Sequence, residues 1–398
     1  MEPIYPIAGV QLSAICSGLK KSGNDMALIT LCAGSHVAMV TTKNSFCAAP
    51  VVVAREHIKK NKTQCLLINS GNANAATGQE GIDLAQECCS VLGQIIGVEA
   101  TQILPFSTGV IGQLPSEKLM LSALPLLVEK LEVDAWSTVA QAIMTTDIYP
   151  KVSSRCFNYK GQDYHITGIA KGSGMIQPNM ATMLAFVATD MAIEADILQK
   201  LCQSASDQSF NRISVDSDTS TNDACVLMAS GAAGNQPLSP DIDKDLYDLF
   251  EKELLIVYQS LAKSIVRDGE GATKFIEIKV QGSDDKQECL AIAYGVANSP
   301  LVKTALFASD PNWGRILMAI GKSSPDGNMD KMVLTINDLV FFEKGQVASD
   351  YDEQQGVEAF SHKDISININ LNRGNQEVII WTCDFSYDYI KINAEYRS

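Results

Sequence analysis

The 398-residue sequence contains only four histidines, and none of them lies in a pattern typical of a catalytic or metal-binding histidine. Neither H-E-x-x-H nor G-x-S-x-G occurs, so the sequence indicates neither a zinc hydrolase nor a serine–histidine hydrolase. Walker A and G-x-G-x-x-G are missing too, which leaves no sign of a nucleotide-binding loop. The histidines are His36, His57, His165 and His362.

The sequence also lacks the features of an exported, membrane-bound or nucleic-acid-binding protein. No run approaches 18 apolar residues, and residues 1–6 do not form the basic start of a secretory signal. The net charge of −15 disfavours non-specific contact with phosphate backbones. Eleven cysteines form no C-x-x-C pair, which argues against a disulfide framework or a zinc site. We therefore expect a cytoplasmic protein with reduced thiols and no metal.

Short apolar runs alternate with helical patterns along the chain. Without a repeat or a linker, this interleaving predicts one compact body of the α/β or α+β class. The alternating residues 365–371 and the apolar residues 378–381 flank Arg373-Gly374-Asn375, which predicts a β-hairpin. Other predicted strands are 26–31, 36–40 and 64–68, and predicted helices include 80–96 and 240–266.

A nucleophile that has no histidine beside it can be a threonine at the start of a chain. Its α-amine, with a pKa of about 7.7–8.0, then serves as the base. An internal threonine gains that amine only through cleavage. Thr182 suits such an event, because Ala181 offers an unhindered carbonyl and the apolar run after Thr182 predicts a buried strand. By composition alone, an ordinary turn that enters a strand is the commoner explanation.

Acyl transfer also needs hydrogen-bond donors for an oxyanion. Residues 105–112 form a small-residue turn in which the Thr108 hydroxyl and the Gly109 N–H could be those donors. Each such donor is worth about 3 kcal/mol. A plain strand-to-helix turn explains the same composition.

Ten segments, in one order along the chain, carry a specific resemblance to a known family. They are residues 44–51 (NSFCAAPV), 69–78 (NSGNANAATG), 107–112 (STGVIG), 144–147 (MTTD), 171–184, 216–223 (DSDTSTND), 268–274 (DGEGATK), 296–305 (VANSPLVKTA), 310–316 (DPNWGRI) and 393–398 (NAEYRS). The sequence closely resembles the ornithine acetyltransferase family of arginine biosynthesis, also called bifunctional glutamate N-acetyltransferase/amino-acid acetyltransferase.

The resemblance implies self-cleavage between Ala181 and Thr182. The products would be an α chain, residues 1–181, and a β chain, residues 182–398. The two chains would form one interleaved body, and two such pairs would assemble as an α2β2 heterotetramer. The implied fold is a layered αββα sandwich, similar in logic to N-terminal-nucleophile hydrolases and shared with self-processing aminopeptidases.

The implied reaction is a ping-pong transfer in which Thr182 takes the acetyl group from N-acetylornithine and passes it to glutamate. It needs no cofactor, and acetyl-CoA stays open as a second donor. Thr108 and Gly109 match the oxyanion hole. Substrate-binding positions are matched by Thr145, Lys171, Thr182, Glu270, Asn393 and Ser398.

The chemistry of these side chains suits the implied roles. Lys171 can pair with a substrate α-carboxylate, and Glu270 can pair with the ornithine ammonium. Asn393 and Ser398 can hydrogen-bond polar substrate groups, and we expect an ordered C-terminus for that reason. Thr145 is chosen over its neighbour Thr146 by its distance from the Thr108 segment. Solvated charges and a frayed C-terminus are the ordinary alternatives.

Two other functions remain open from the sequence. One is a self-processing aminopeptidase or amidase on the same scaffold, which would pass its acyl group to water. The other is a small-molecule-binding protein that never matures. An aminopeptidase or amidase would release ornithine at a rate that does not depend on glutamate, unlike a transferase. A binding protein that never matures would keep the mass of the intact chain under denaturing conditions.

Overall fold

The structure is a computed structural model that describes residues 3–177, 183–324 and 329–395. The chain divides into two compact units. The first unit comprises Met1–Asn211 and Asp218–Ile265, and the second comprises Arg212–Ser217 and Val266–Ser398.

Strands and helices alternate along the described residues. The strands are β1 (Val10–Ile15), β2 (Met26–Leu31), β3 (His36–Thr41), β4 (Cys65–Asn69), β5 (Ile103–Ser107), β6 (Lys151–Tyr159), β7 (Gln162–Lys171), β8 (Leu184–Thr189), β9 (Ile213–Ser214), β10 (Ala224–Ala229), β11 (Phe275–Ser283), β12 (Val333–Ile336), β13 (Leu339–Glu343), β14 (Gln346–Val347), β15 (Asp364–Asn370) and β16 (Gln376–Cys383). The helices are α1 (Ala49–Lys60), α2 (Gly78–Ile96), α3 (Glu117–Glu129), α4 (Trp136–Ala142), α5 (Ala195–Asp207), α6 (Lys244–Arg267), α7 (Lys286–Ala297), α8 (Pro300–Phe307), α9 (Trp313–Ser323), α10 (Glu353–Ser361) and α11 (Tyr387–Glu395).

The first unit contains two sheets that pack face to face. One has the strand order β1-β2-β4-β5, and the other has the order β3-β10-β8-β7-β6. Leu66 and Ile68 of β4 share one buried cluster with Phe186 and Ala188 of β8. The rings of Phe106 and Phe186 meet edge to face, with centroids 5.3 Å apart, so the two sheets touch directly.

Helices cover the outer faces of both sheets. Alternate residues of a strand point to opposite faces, so Leu67 of β4 packs outward, against Leu92 of α2 and Leu124 of α3. On the other sheet, Tyr258 of α6 lies within hydrogen-bonding distance, 3.6 Å, of the Cys225 sulfur of β10. The layers therefore run helix, sheet, sheet, helix, and the predicted αββα sandwich is confirmed for this unit.

Strands from both sides of the predicted cleavage point belong to one sheet. β7 pairs antiparallel with β8, and Lys171 at the end of β7 lies opposite Leu184 at the start of β8. Every residue of β8 is buried, as predicted for the apolar run after Thr182.

The second unit contains one seven-stranded sheet with the order β14-β13-β12-β15-β11-β16-β9. Helices α7 and α9 pack onto it through a single buried cluster that includes Ile278 of β11, Ile292 of α7 and Ile320 of α9. This cluster gives the unit a core of its own.

The predicted hairpin of residues 365–371 and 378–381 is wrong, because β11 lies between the two strands. β15 pairs with β11 in parallel and β16 pairs with β11 antiparallel. The connecting turn crosses the end of β11, where the Arg373 N–H donates to the Gly282 carbonyl at 2.6 Å. A Cβ on Gly374 would lie 2.4 Å from the Asp284 nitrogen. The alternation identified both strands, but it carries no information about a third strand between them.

No single helix in the described part of the chain is long and apolar enough to cross a membrane. Helices α7 and α8 reach the required length and apolar composition only when they are counted as one segment, and that segment is bent by 54° at the break between them.

Candidate active site

The oxyanion-hole candidates follow β5, next to the loop that follows β4. These strands pair in parallel, so the segments after them meet at one edge of the sheet. The Thr108 N–H donates to the Asn69 carbonyl at 3.0 Å, and the Val110 N–H donates to the Gly71 carbonyl at 3.3 Å. The backbone therefore joins the two motif segments NSGNANAATG and STGVIG.

Gly109 occupies a position that only glycine can fill. Its φ is 133°, a value that side chains disfavour. A Cβ there would lie 2.3 Å from the Gly71 carbonyl carbon and 2.5 Å from the Asn72 nitrogen. The close approach of the two loops explains the glycine.

Asn222, in the segment just before β10, hydrogen-bonds to both loops. Its Nδ2 donates to the Ala73 carbonyl at 2.6 Å and to the Ser107 carbonyl at 2.9 Å. The amide is buried, so both bonds are made away from water. The sequence placed Asn222 in a family segment but gave it no role.

The structure brings Lys171 and Thr108 together. The Lys171 side chain is 2% exposed, and its Nζ donates to Thr108 Oγ1 at 3.4 Å. The same Nζ lies 4.0 Å from Asp147 Oδ2. Two residues that are 63 positions apart thus form one polar cluster inside the first unit.

Asp147 organises this cluster, and the sequence reasoning missed it. Its carboxylate accepts hydrogen bonds from Lys151 Nζ at 2.6 Å, from the Gly172 N–H at 2.7 Å and from the Thr145 N–H at 3.0 Å. Burial raises the pKa of Asp147, but the Lys171 and Lys151 ammonium groups more than offset it, and the pKa falls to about 2. Asp147 is therefore an anion at neutral pH.

The adjacent threonines of the MTTD segment have different contacts. Thr145 uses its N–H to bind Asp147, whereas the Thr146 hydroxyl hydrogen-bonds the Ser173 hydroxyl at 2.6 Å. Both side chains are half-buried. The choice of Thr145 as the substrate contact stays a prediction.

Lys20 is a further cation near this cluster that the sequence did not indicate. Its Nζ donates to the carbonyls of Ala142 and Met144, both at 3.2 Å. Burial lowers the pKa of Lys20, while the charges of Asp25 and Asp147 raise it. Lys20 thus anchors the turn that carries Asp147.

Two other predicted site residues meet in the second unit. Asn393 Nδ2, on α11, donates to Glu270 Oε2 at 2.8 Å. Glu270 is 6% exposed. The neighbouring Gly271 has a φ of 68°, and a Cβ there would lie 2.5 Å from the Tyr389 nitrogen. The loop that contains Glu270 and Gly271 therefore packs closely against α11.

Three predicted site residues, Ala181, Thr182 and Ser398, lie outside the described residues. The expected order of the C-terminus falls there too.

The described residues contain no group of three or more His, Cys, Asp or Glu side chains that could hold a metal ion. Three histidines make structural hydrogen bonds: His36 to the Ile193 carbonyl, His57 to the Ile103 carbonyl and His165 to Asp190. All eleven cysteines are free thiols.

Comparison with known proteins decides the family. The sequence model of the ArgJ family matches residues 11–398. The chain belongs to the ArgJ family. This membership confirms the family that the ten segments predict, and with it the predicted enzyme class, an acyltransferase.

Relatives of the ArgJ family match the whole chain. The chain is 48% identical to the arginine biosynthesis bifunctional protein ArgJ of Psychrobacter arcticus, over 100% of this chain and 98% of that protein. It is 46% identical to the protein of the same name from Pseudomonas fluorescens, with the same coverage. A crystal structure of arginine biosynthesis bifunctional protein argJ from Bacillus halodurans is 39% identical, with a TM-score of 0.49, over 52% of this chain and 95% of that one.

Proposed function

We propose that this ArgJ-family acyltransferase moves an acetyl group from N-acetylornithine to glutamate through an acetyl ester on Thr182. The observation that carries the proposal is the contact of Lys171 Nζ with Thr108 Oγ1. This contact places a cation that can bind a substrate carboxylate next to a hydroxyl that can donate a hydrogen bond to an oxyanion. Lys171 also ends the strand that pairs with β8, which begins two residues after Thr182.

The nucleophile is produced by self-cleavage between Ala181 and Thr182. Residues 1–181 and 182–398 then stay associated, because β8 pairs with β7 and β10 pairs with β3 across the cut. Separating the chains would expose the sheet edges and the apolar core between the layers. By its family resemblance, the mature protein assembles as an α2β2 heterotetramer in the cytoplasm.

In the first half-reaction the Thr182 α-amine accepts the hydroxyl proton as the oxygen attacks the acetyl carbonyl. The Thr108 hydroxyl and the Gly109 N–H stabilise the negative charge on the tetrahedral oxygen. The proton passes to the departing ornithine nitrogen. Glutamate then attacks the acetyl-threonine by the reverse steps.

One carboxylate, Asp147, faces two ammonium groups, those of Lys171 and Lys151. Lys171 is the one of these two ammonium groups that also contacts Thr108, so it is the cation placed to bind an anionic group of the substrate. N-acetylornithine and glutamate both carry an α-carboxylate, so one cation serves both half-reactions. By the family resemblance, Glu270 is a further substrate-binding residue, and within the second unit it accepts a hydrogen bond from Asn393.

The test is the release of ornithine from N-acetylornithine with and without glutamate. A transferase releases ornithine continuously only when glutamate is present, whereas an aminopeptidase or amidase releases it at the same rate without glutamate. Acetyl-CoA in place of N-acetylornithine shows whether the enzyme also acetylates glutamate from that donor. A denatured chain that retains the full 43.0 kDa would contradict maturation.

A further inference from the structure

Asp223 lies beside the nucleophile's strand. Its Oδ1 accepts a hydrogen bond from the Met183 N–H at 2.8 Å. Met183 is the first described residue after Thr182, and its nitrogen is covalently bonded to the Thr182 carbonyl carbon. The carboxyl group is thus held within one residue of Thr182.

The second oxygen of Asp223 is unusual. The residue is 1% exposed, and Oδ2 has no hydrogen-bond partner among the described residues. Burying a carboxylate oxygen without a hydrogen-bond partner destabilises the folded protein. Such groups are found preferentially at functional sites, so Asp223 is a candidate functional residue. Burial raises the pKa of Asp223 well above its usual value, and the Met183 N–H, the Lys171 charge and the Ser220 hydroxyl only partly oppose that rise.

Self-cleavage needs a base that the mature mechanism does not provide. In the precursor, the Thr182 nitrogen is part of the Ala181–Thr182 amide and cannot accept a proton. A different group must take the hydroxyl proton before the amine exists. The histidines His36, His57 and His165 are already bound to other groups of the fold.

We infer that Asp223 is the base of self-cleavage, an inference that rests on the proposed function of Thr182. Oδ2 accepts the Thr182 hydroxyl proton as the threonine oxygen bonds to the Ala181 carbonyl carbon. The carboxyl then gives that proton to the Thr182 nitrogen as the C–N bond breaks. The products are an Ala181–Thr182 ester and a free α-amine, and water opens the ester to a carboxylate and the restored hydroxyl.

Within residues 3–177, 183–324 and 329–395, two other titratable groups interact electrostatically with Asp223. Lys171, on β7, acts on it as a positive charge. Burial raises the pKa of the Cys47 thiol, Arg55 lowers it and the Asp223 charge raises it, so this thiol stays neutral near pH 7. The charge state of Asp223 should therefore govern the pH dependence of cleavage, with the rate rising at a higher pH than an ordinary aspartate would give.

The experiment follows cleavage of the full chain made by cell-free synthesis, using denaturing mass spectrometry over time. Asp223→Asn keeps an oxygen for the Met183 N–H but removes the basic carboxylate. We expect it to cleave at least about 100-fold more slowly than the wild type. Asp223→Glu restores a carboxylate and should regain part of the rate.

Asp190→Asn is the matched control. Asp190 is 4% exposed and also accepts a backbone N–H, that of His165, at 3.0 Å. We expect this variant to cleave at the wild-type rate. Thermal unfolding of each variant shows whether it is folded.

The pH profile separates a base from a structural contact. The wild-type and Asp223→Glu rates should rise with pH and level off once the carboxyl is ionised, whereas the residual Asp223→Asn rate should keep rising with hydroxide. Cleavage of Asp223→Asn at the wild-type rate would overturn the inference, as would an Asp223→Glu rate that never levels off. A wild-type chain that stays intact would instead contradict the proposed function itself.

Discussion

Lys171 Nζ lies 3.4 Å from Thr108 Oγ1, although the two residues come from different sheets of the sandwich. Thr108 follows the end of β5 and Lys171 ends β7. Their contact places a candidate carboxylate-binding cation next to a candidate oxyanion donor.

Gly109→Ala should reduce kcat by about 10²–10³-fold, the usual effect of losing one oxyanion donor. The new Cβ would lie 2.3 Å from the Gly71 carbonyl carbon, so the turn must move and take the N–H with it. Gly112→Ala is the control. Its φ of 83° is also positive, but a Cβ there meets nothing within 4 Å. A kcat loss of equal size in both variants would mean that backbone strain, not donor position, causes it.

Lys171→Met should raise the KM for both substrates by about 10–100-fold, because a charge-assisted hydrogen bond is worth about 1.5–3 kcal/mol. Lys151→Met removes the other ammonium next to Asp147 but leaves Lys171 in place. Both variants should lose stability, since each leaves Asp147 short of a counter-charge. Steady-state kinetics with each substrate should show the large KM change in the Lys171 variant alone.

Asp147 should make folding stability depend on pH. Its folded pKa of about 2 lies below the ordinary 3.8, so its contribution is complete above pH 3.8 and is lost as the pH falls towards 2. That contribution is about 2 kcal/mol by linkage. The free energy of unfolding of the wild type should therefore exceed that of Asp147→Asn by more at pH 6 than at pH 3. An equal difference at both pH values would show that Asp147 does not titrate in this way.

Asn222→Ala should lower both stability and kcat, because the carbonyls of Ala73 and Ser107 lose their buried donor. We expect a stability loss of about 1–3 kcal/mol. Asn235→Ala is the comparison, since its Nδ2 donates to the Ala192 and Gln236 carbonyls. That variant should lose stability without a change in kcat. Equal kcat values in the two variants would show that Asn222 does not position the turn that carries the oxyanion donors.

The family resemblance implied the αββα layers, which the first unit confirms, and the hydrophobic pattern predicted individual strands; the roles of the site residues stay predictions. Alternating and buried apolar runs identified β8 and β15 as strands, and the ten family segments led to Thr108 and Lys171. The sequence did not predict the strand order, because a polar turn such as Arg373-Gly374-Asn375 can join strands that are not neighbours in the sheet. Asp147 and Asp223 were missed as well. A carboxylate is singled out by its burial and its partners, and a single sequence shows neither.

The central claim is that Thr182 carries the acetyl group. The most direct measurement is the mass of the denatured 182–398 chain after brief exposure to N-acetylornithine without glutamate. We predict a gain of about 42 Da, the mass of one acetyl group, which peptide fragmentation places on Thr182 and which glutamate then removes. An unchanged mass during turnover, or a label on another residue, would contradict the account.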